Sequence, residues 1–341
     1  MKIEGGLRVK GIKGSRDQEL KSPNPLTLRP FNPATHFPSK KVHRLALVNA
    51  VATLLLLFVG GLVTSKGAGL SVPDWPTTFG YNMFLYPWSK MIGGVLYEHS
   101  HRLVASGVGL LTLSLALLLW LYERRRWLRW LGIAALAFVI LQGVIGGLRV
   151  VLLEETLAIL HACSAQAFFA LAASLALFTS EEWKEEIEKV QRADAGRIQR
   201  LAILTTALIY LQGIFGAILR YTGAAFEAHL LLAFLVVFHV VFLAARILRS
   251  PSHLSKLVRP AVILCSLLLF QLALGLGSYV GRFTPVGAVL PPAAVVLLRT
   301  SHVITGALML VTSLVLTLSS FRLLESPQAA WSQGVLSEQT S

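Results

Sequence analysis

The sequence predicts an all-α polytopic membrane protein, with eight transmembrane helices arranged as two tandem four-helix bundles. Composition is the first reason. Of 341 residues, 55% are hydrophobic and 14% charged, and the mean hydropathy is +0.66. Water-soluble domains carry far more charge than this. Length is the second. Eight apolar stretches approach the roughly 20 residues that a bilayer crossing needs, at 44–64, 93–121, 129–148, 157–179, 200–219, 226–246, 260–280 and 294–318. The third is an internal echo between the first four stretches and the last four.

The formal net charge of +14 does not imply a nucleic-acid partner, because the basic residues lie in alternate connections between apolar runs. They occur at Lys40, Lys41 and Arg44, in Glu123-Arg124-Arg125-Arg126, from Lys184 to Arg200 and from Arg246 to Arg259. The positive-inside rule makes these connections cytoplasmic and turns the loops at 65–92, 149–156, 220–225 and 281–293 outward. Both termini are then inside, in a multi-pass protein of the cell inner (plasma) membrane. Residues 1–41 are polar, basic and rich in Pro and Gly, without the apolar segment of a signal peptide, and read as a disordered cytoplasmic tail. Cys163 and Cys265 fall inside apolar runs, so neither a disulfide framework nor a thiolate metal site is expected.

The echo divides the chain into a bundle at 42–180, a cytoplasmic linker at 181–199, a second bundle at 200–322 and a tail at 323–341. Leu62-Val63-Thr64-Ser65-Lys66-Gly67-Ala68 parallels Ile218-Leu219-Arg220-Tyr221-Thr222-Gly223-Ala224, and Gln142 to Gly146 parallels Gln271 to Gly275. Because four spans restore the orientation, the repeats run parallel. Gly60, Gly61, Gly143, Gly146, Gly147, Gly213, Gly216, Gly275 and Gly277 lie in odd-numbered spans, where small residues let helices approach closely. The plainer reading is that glycine is simply common in membrane helices.

Each even-numbered span carries a histidine near its outer end: His101, His161, His229 and His302. Each bundle therefore holds one pair, suited to axial ligation of a haem iron between facing helices. A structural zinc site wants four ligands from Cys or His, and each half supplies only two matched histidines. His36, His43 and His253 lie in the tail or in cytoplasmic segments, and His239 is deeper in span six, where a packing role is expected. Arg102, Arg149, Arg220, Arg282 and Arg299 stand near outer span ends and are candidates to hold haem propionates. The competing reading for each is an ordinary snorkelling arginine.

The stretch Tyr97-Glu98-His99-Ser100-His101-Arg102 distinguishes the halves. Glu98 precedes His101 by three residues and shares its helix face, while His99 points elsewhere and is expected to be a bystander. The matched stretch is Phe226-Glu227-Ala228-His229, so Phe226 stands where the first half has Glu98. A carboxylate in a membrane is costly, and beside a reacting haem it offers acid–base or charge-stabilising chemistry. The alternative is a simple i,i+4 pair with Arg102.

The loop Gly67-Ala68-Gly69-Leu70-Ser71-Val72-Pro73-Asp74-Trp75-Pro76, the Glu-x-x-His-Arg of span two and the four matched histidines together resemble the haem A synthase family over about residues 42–322. The resemblance implies oxidation of a ring methyl of haem O to a formyl group by successive hydroxylation, for terminal oxidase assembly. It implies that His101 and His161 flank the substrate haem, that His229 and His302 ligate a haem b cofactor, and that Glu98 is catalytic. Haem O synthase and an electron donor are the implied partners, with self-association left open. Many bacterial members carry a cysteine pair flanking Asp-Trp-Pro; here Val72 and Thr78 occupy those neighbourhoods, leaving Pro73, Trp75 and Pro76 to stiffen the loop as a lid. The rival from another class is a dihaem b-type electron-transfer subunit, such as a quinol oxidoreductase anchor, which leaves Glu98 and the loop without a role.

Overall fold

A computed structural model describes residues 39–249 and 255–326. The remaining residues, including His36, His253, nearly all of the predicted N-terminal tail and most of the C-terminal one, lie outside that set. Eight long helices dominate: α1 (Ser39–Ser65), α2 (Gly93–Tyr122), α3 (Arg126–Leu152), α4 (Glu155–Thr179), α5 (Ala195–Thr222), α6 (Phe226–Leu248), α7 (Ser255–Phe283) and α8 (Pro292–Leu323). All eight are long and apolar enough to cross a bilayer, and the protein is a multi-pass membrane protein. Most run several residues past the apolar stretches read from sequence, because backbone hydrogen bonding continues into the interfacial zone where hydropathy has already fallen.

The helix exteriors are apolar. Leu110, Phe234, Phe238 and Leu269 are each more than 60% exposed, which is tolerable only against lipid. Buried apolar side chains form two clusters. Val42, Ala46, Val108, Leu115, Leu119, Leu128, Phe168 and Leu175 bind α1–α4 together. Ile198, Ala202, Val240, Leu243, Leu257, Leu264 and Leu316 do the same for α5–α8. The two groups of four meet where α1 and α4 pack against α8 and α5.

The sequence echo has a local cause. Gly67 and Gly223 both adopt the left-handed conformation, with φ of +66° and +75°, just past the ends of α1 and α5. That geometry lets a backbone N–H close the last turn: Ala68 N–H donates to Val63 O at 2.8 Å and Gly223 N–H to Leu219 O at 3.1 Å. Glycine is favoured there because it lacks the β-carbon that the conformation crowds. At the opposite end, β1 (Val190–Gln191) pairs in parallel with β2 (Leu324–Glu325), joining the start of the second group of helices to its finish.

Candidate functional site

The even-numbered helices all begin at the end carrying the long 66–92 loop, which brings their histidines to one level. His229 lies one turn into α6 and His302 nearly three turns into α8, whose proline-initiated start extends well beyond it. The rings meet in the predicted pairs. His101 and His161 have centroids 6.5 Å apart at an interplanar angle of 86°, and His229 and His302 are 6.4 Å apart at 70°.

Each ring lies against a glycine of the preceding odd-numbered helix. A β-carbon would stand 2.9 Å from His101 Cε1 if added at Gly60, 2.9 Å from His161 Cε1 at Gly146, 3.1 Å from His229 Cε1 at Gly216 and 3.2 Å from His302 Cε1 at Gly275. Four glycines from the small-residue set are thus ring seats, whereas Gly143 and Gly213 have nothing within 4 Å. Four residues before each seat stands Leu56, Gln142, Gln212 or Gln271. The Gln212 and Gln271 amides approach Nε2 of His229 and His302 at 3.3 and 3.5 Å.

The four Nδ1 atoms are buried on the side of the seating helix, where each ring also meets the backbone of Leu56, Gln142, Gln212 or Gln271. Side-chain atoms of all three glutamines are buried without a hydrogen-bond partner, which is costly in a membrane interior and sets this layer apart from the rest of the helices. Two axial imidazoles on one iron, with metal–nitrogen bonds of about 2 Å, put their ring centres about 6 Å apart. Both pairs fit that spacing. Among the described residues no three His, Cys, Asp or Glu side chains converge as a metal site, so paired imidazoles are what each half offers.

The halves differ around these pairs. Glu98 is 4% exposed and fully engaged: Arg102 Nη2 donates to its Oε1 at 3.0 Å and Val72 N–H to its Oε2 at 3.0 Å. Arg102 also donates to the carbonyls of Asp74 (2.7 Å), Thr77 (3.0 Å) and Val72 (3.0 Å). The i,i+4 pair foreseen as the plainer alternative therefore exists, and it is half of a grip on the loop. Arg149 donates to Gly69 O at 3.0 Å, and the Trp75 indole lies so close to Gly147 that a β-carbon there would overlap it.

His99 does point away from His101, toward the loop. It is 1% exposed, its Nδ1 lies 3.1 Å from Thr78 Oγ1, and its ring sits 5.1 Å from that of Tyr86. Tyr86 carried no sequence signal. In the second half Phe226 stacks on Tyr279 at 5.5 Å, and Glu227 is exposed.

Arg220 crosses to the first half, donating to Ser65 Oγ at 2.7 Å and Gly61 O at 3.1 Å. Arg282 donates to Arg220 O at 3.3 Å, and Arg299 Nε is buried without a partner. Among the described residues none of Arg149, Arg220, Arg282 or Arg299 pairs with a carboxylate. His43 bonds to Ala176 O at the far end, and His239 to Leu235 O of its own helix. Both are packing histidines.

Fold and site define an eight-span membrane protein with two stacked-helix histidine pairs and a carboxylate beside one of them. The chain belongs to the COX15-CtaA family, described as cytochrome oxidase assembly protein, whose model matches residues 43–228. It is 31% identical over 193 residues to a protein named "Heme A synthase" from Shouchella clausii, covering 54% of this chain and 61% of that one. A second of that name, from Bacillus pumilus, is 29% identical over 190 residues, covering 53% and 59%. The chain thus spans about six-tenths of the length of these curated relatives. The family match ends one residue before His229, so the second pair rests on the internal repeat.

Proposed function

We propose that this protein is a haem A synthase, oxidising a ring methyl of haem O to a formyl group by two successive two-electron hydroxylations, each drawing on an external oxidant, and loss of water from the geminal diol. Family membership supports the reading, and one observation carries it: two histidine pairs of matched geometry, with a buried carboxylate beside only the first. His101 and His161 flank the substrate haem, seated against Gly60 and Gly146. His229 and His302 hold a haem b, which supplies one-electron chemistry when bound.

Glu98, one turn before His101, is the catalytic carboxylate. Arg102 and the Val72 N–H fix its orientation, so it meets developing positive charge or a released proton without rearranging. Arg149, Arg220 and Arg299, free of acidic partners among the described residues, would hold the propionates; Arg102, on α2, supports them by fixing the loop. The lid keeps bulk water from the reacting methyl. Haem O synthase and an electron donor are the partners, and the inner membrane, with both termini cytoplasmic, is the location.

The test is haem extraction from cells making this protein together with a source of haem O. Haem A appears with the wild type, and Glu98→Gln leaves haem O unconverted with haem b still bound. Haem O persisting beside the wild type sinks the reading. An electron-transfer subunit would instead keep its function in Glu98→Gln.

A further inference from the structure

We propose that His99 is a positioning residue, which with Glu98 and Arg102 clasps the first outer loop into a fixed lid beside the His101–His161 pair. Three side chains on little more than one turn of α2 reach the loop at separate points. Glu98 holds the Val72 N–H, Arg102 holds the Val72, Asp74 and Thr77 carbonyls, and His99 holds Thr78 Oγ1 at 3.1 Å. Val72 and Thr78 are both fully buried, so the clasp closes on the two innermost points of the loop.

The loop is over-determined between those points. Phe79 sits in the left-handed region at φ 50°, a conformation unfavourable for a residue with a β-carbon. It persists because both sides are held. Thr78 is fixed by His99 and by reciprocal backbone bonds with Tyr81 at 3.0 Å, and the Phe79 N–H donates to Asp74 Oδ1 at 2.7 Å. The far edge rests on α3, where Trp75 covers Gly147, the neighbour of the His161 seat. The lid therefore spans from the turn of His101 to the α3 turn that seats His161. Losing His99 frees Thr78 and Tyr86 together, and the loop's contact with the His101 turn and with the seat of His161 loosens.

What lies beneath the lid is taken from the proposed function; the lid itself is not. The test uses the full chain, purified with the haem it acquires in cells, comparing His99→Ala, His99→Asn and Thr78→Val. Asn can place an amide nitrogen near the position of the histidine Nδ1. Deuterium exchange of amides 72–82 should quicken roughly five- to tenfold in His99→Ala and Thr78→Val, the loss of about one buried hydrogen bond. The low-spin haem signal that disappears in His161→Ala should shift in the same two variants. His99→Asn should restore both, and the signal assigned through His302→Ala should not move. Unchanged loop exchange and haem signal in His99→Ala overturn the proposal, as does a rise in exchange spread through all eight helices. If the wild type makes no haem A but the exchange pattern holds, the proposed function fails and the clasp stands.

Discussion

A β-carbon on Gly60 would stand 2.9 Å from Cε1 of His101, closer than packed carbon atoms approach. The histidine ring is short and stiff, so either it or α1 must move. Gly60→Ala and Gly146→Ala should each cost about 1–3 kcal/mol through overpacking and displace the first pair. The seats at Gly216 and Gly275, at 3.1 and 3.2 Å, should tolerate alanine better. Gly143→Ala and Gly213→Ala, which meet open space, should be neutral or slightly stabilising. Haem absorbance per protein and thermal unfolding check the ranking.

The side chains of Arg102 and Glu98 are 9% and 5% exposed. Replacing Arg102 with Lys keeps the charge but offers one point donor where a planar fork served four acceptors. Several loop carbonyls then lose their donor. Breaking a buried pair outright, as in Arg102→Ala, should cost about 3–5 kcal/mol, with Lys intermediate. Protease cleavage within 72–82 should rise before any change in the α5–α8 bundle.

Asp74 makes the loop acid-sensitive. Partial burial pushes its carboxyl up, but hydrogen bonds from Gly80 N–H, Thr77 Oγ1 and Phe79 N–H outweigh it and hold the carboxyl below its ordinary 3.8. The folded value is depressed, so the stabilisation is fully present above 3.8 and is lost as pH falls through the lowered value. Exchange at residues 77–82, corrected for intrinsic rates, should therefore accelerate only in strong acid. Asp74→Asn should show the faster rate at neutral pH and no such acid step.

Arg220, Arg282 and Arg299 lie close enough to repel one another, and among the described residues none pairs with a carboxylate. Arg299→Gln should relieve that repulsion and raise the thermal stability of haem-depleted protein by up to about 1 kcal/mol. The same change should weaken haem retention and lower the fraction bound after gel filtration. Opposite signs in the two measurements identify an anion site; a fall in both would show that Arg299 is structural.

Much of this was legible in sequence because it depends on local spacing. Apolar run length gave the eight helices, and the matched positions of His101, His161, His229 and His302 gave the pairs. The three-residue step from Glu98 to His101, set against Phe226, gave the asymmetry. Contacts between distant segments were not legible. Arg102 reads as a propionate candidate because nothing near it shows that Val72, Asp74 and Thr77 fold back onto it. His99 reads as idle because its partner lies 21 residues earlier in the chain. Loop stiffness, assigned from sequence to Pro73, Trp75 and Pro76, comes in large part from side chains on α2 and from Asp74. The glycines of the odd spans read as permitting close helices; which of them seat a ring depends on helix rotation, which composition does not encode.

Adjacent glycines on α1 look in two directions. Gly60 seats His101, and Gly61 seats Thr300, two residues before His302, in an interface that Ser65 and Arg220 close with hydrogen bonds. One helix therefore packs against a histidine-bearing helix of each group, with its angular setting fixed from both sides. Inserting a single residue ahead of Gly60 would turn the preceding part of α1 by about 100° relative to these contacts. The two histidine pairs are thereby tied to one rotational setting of α1.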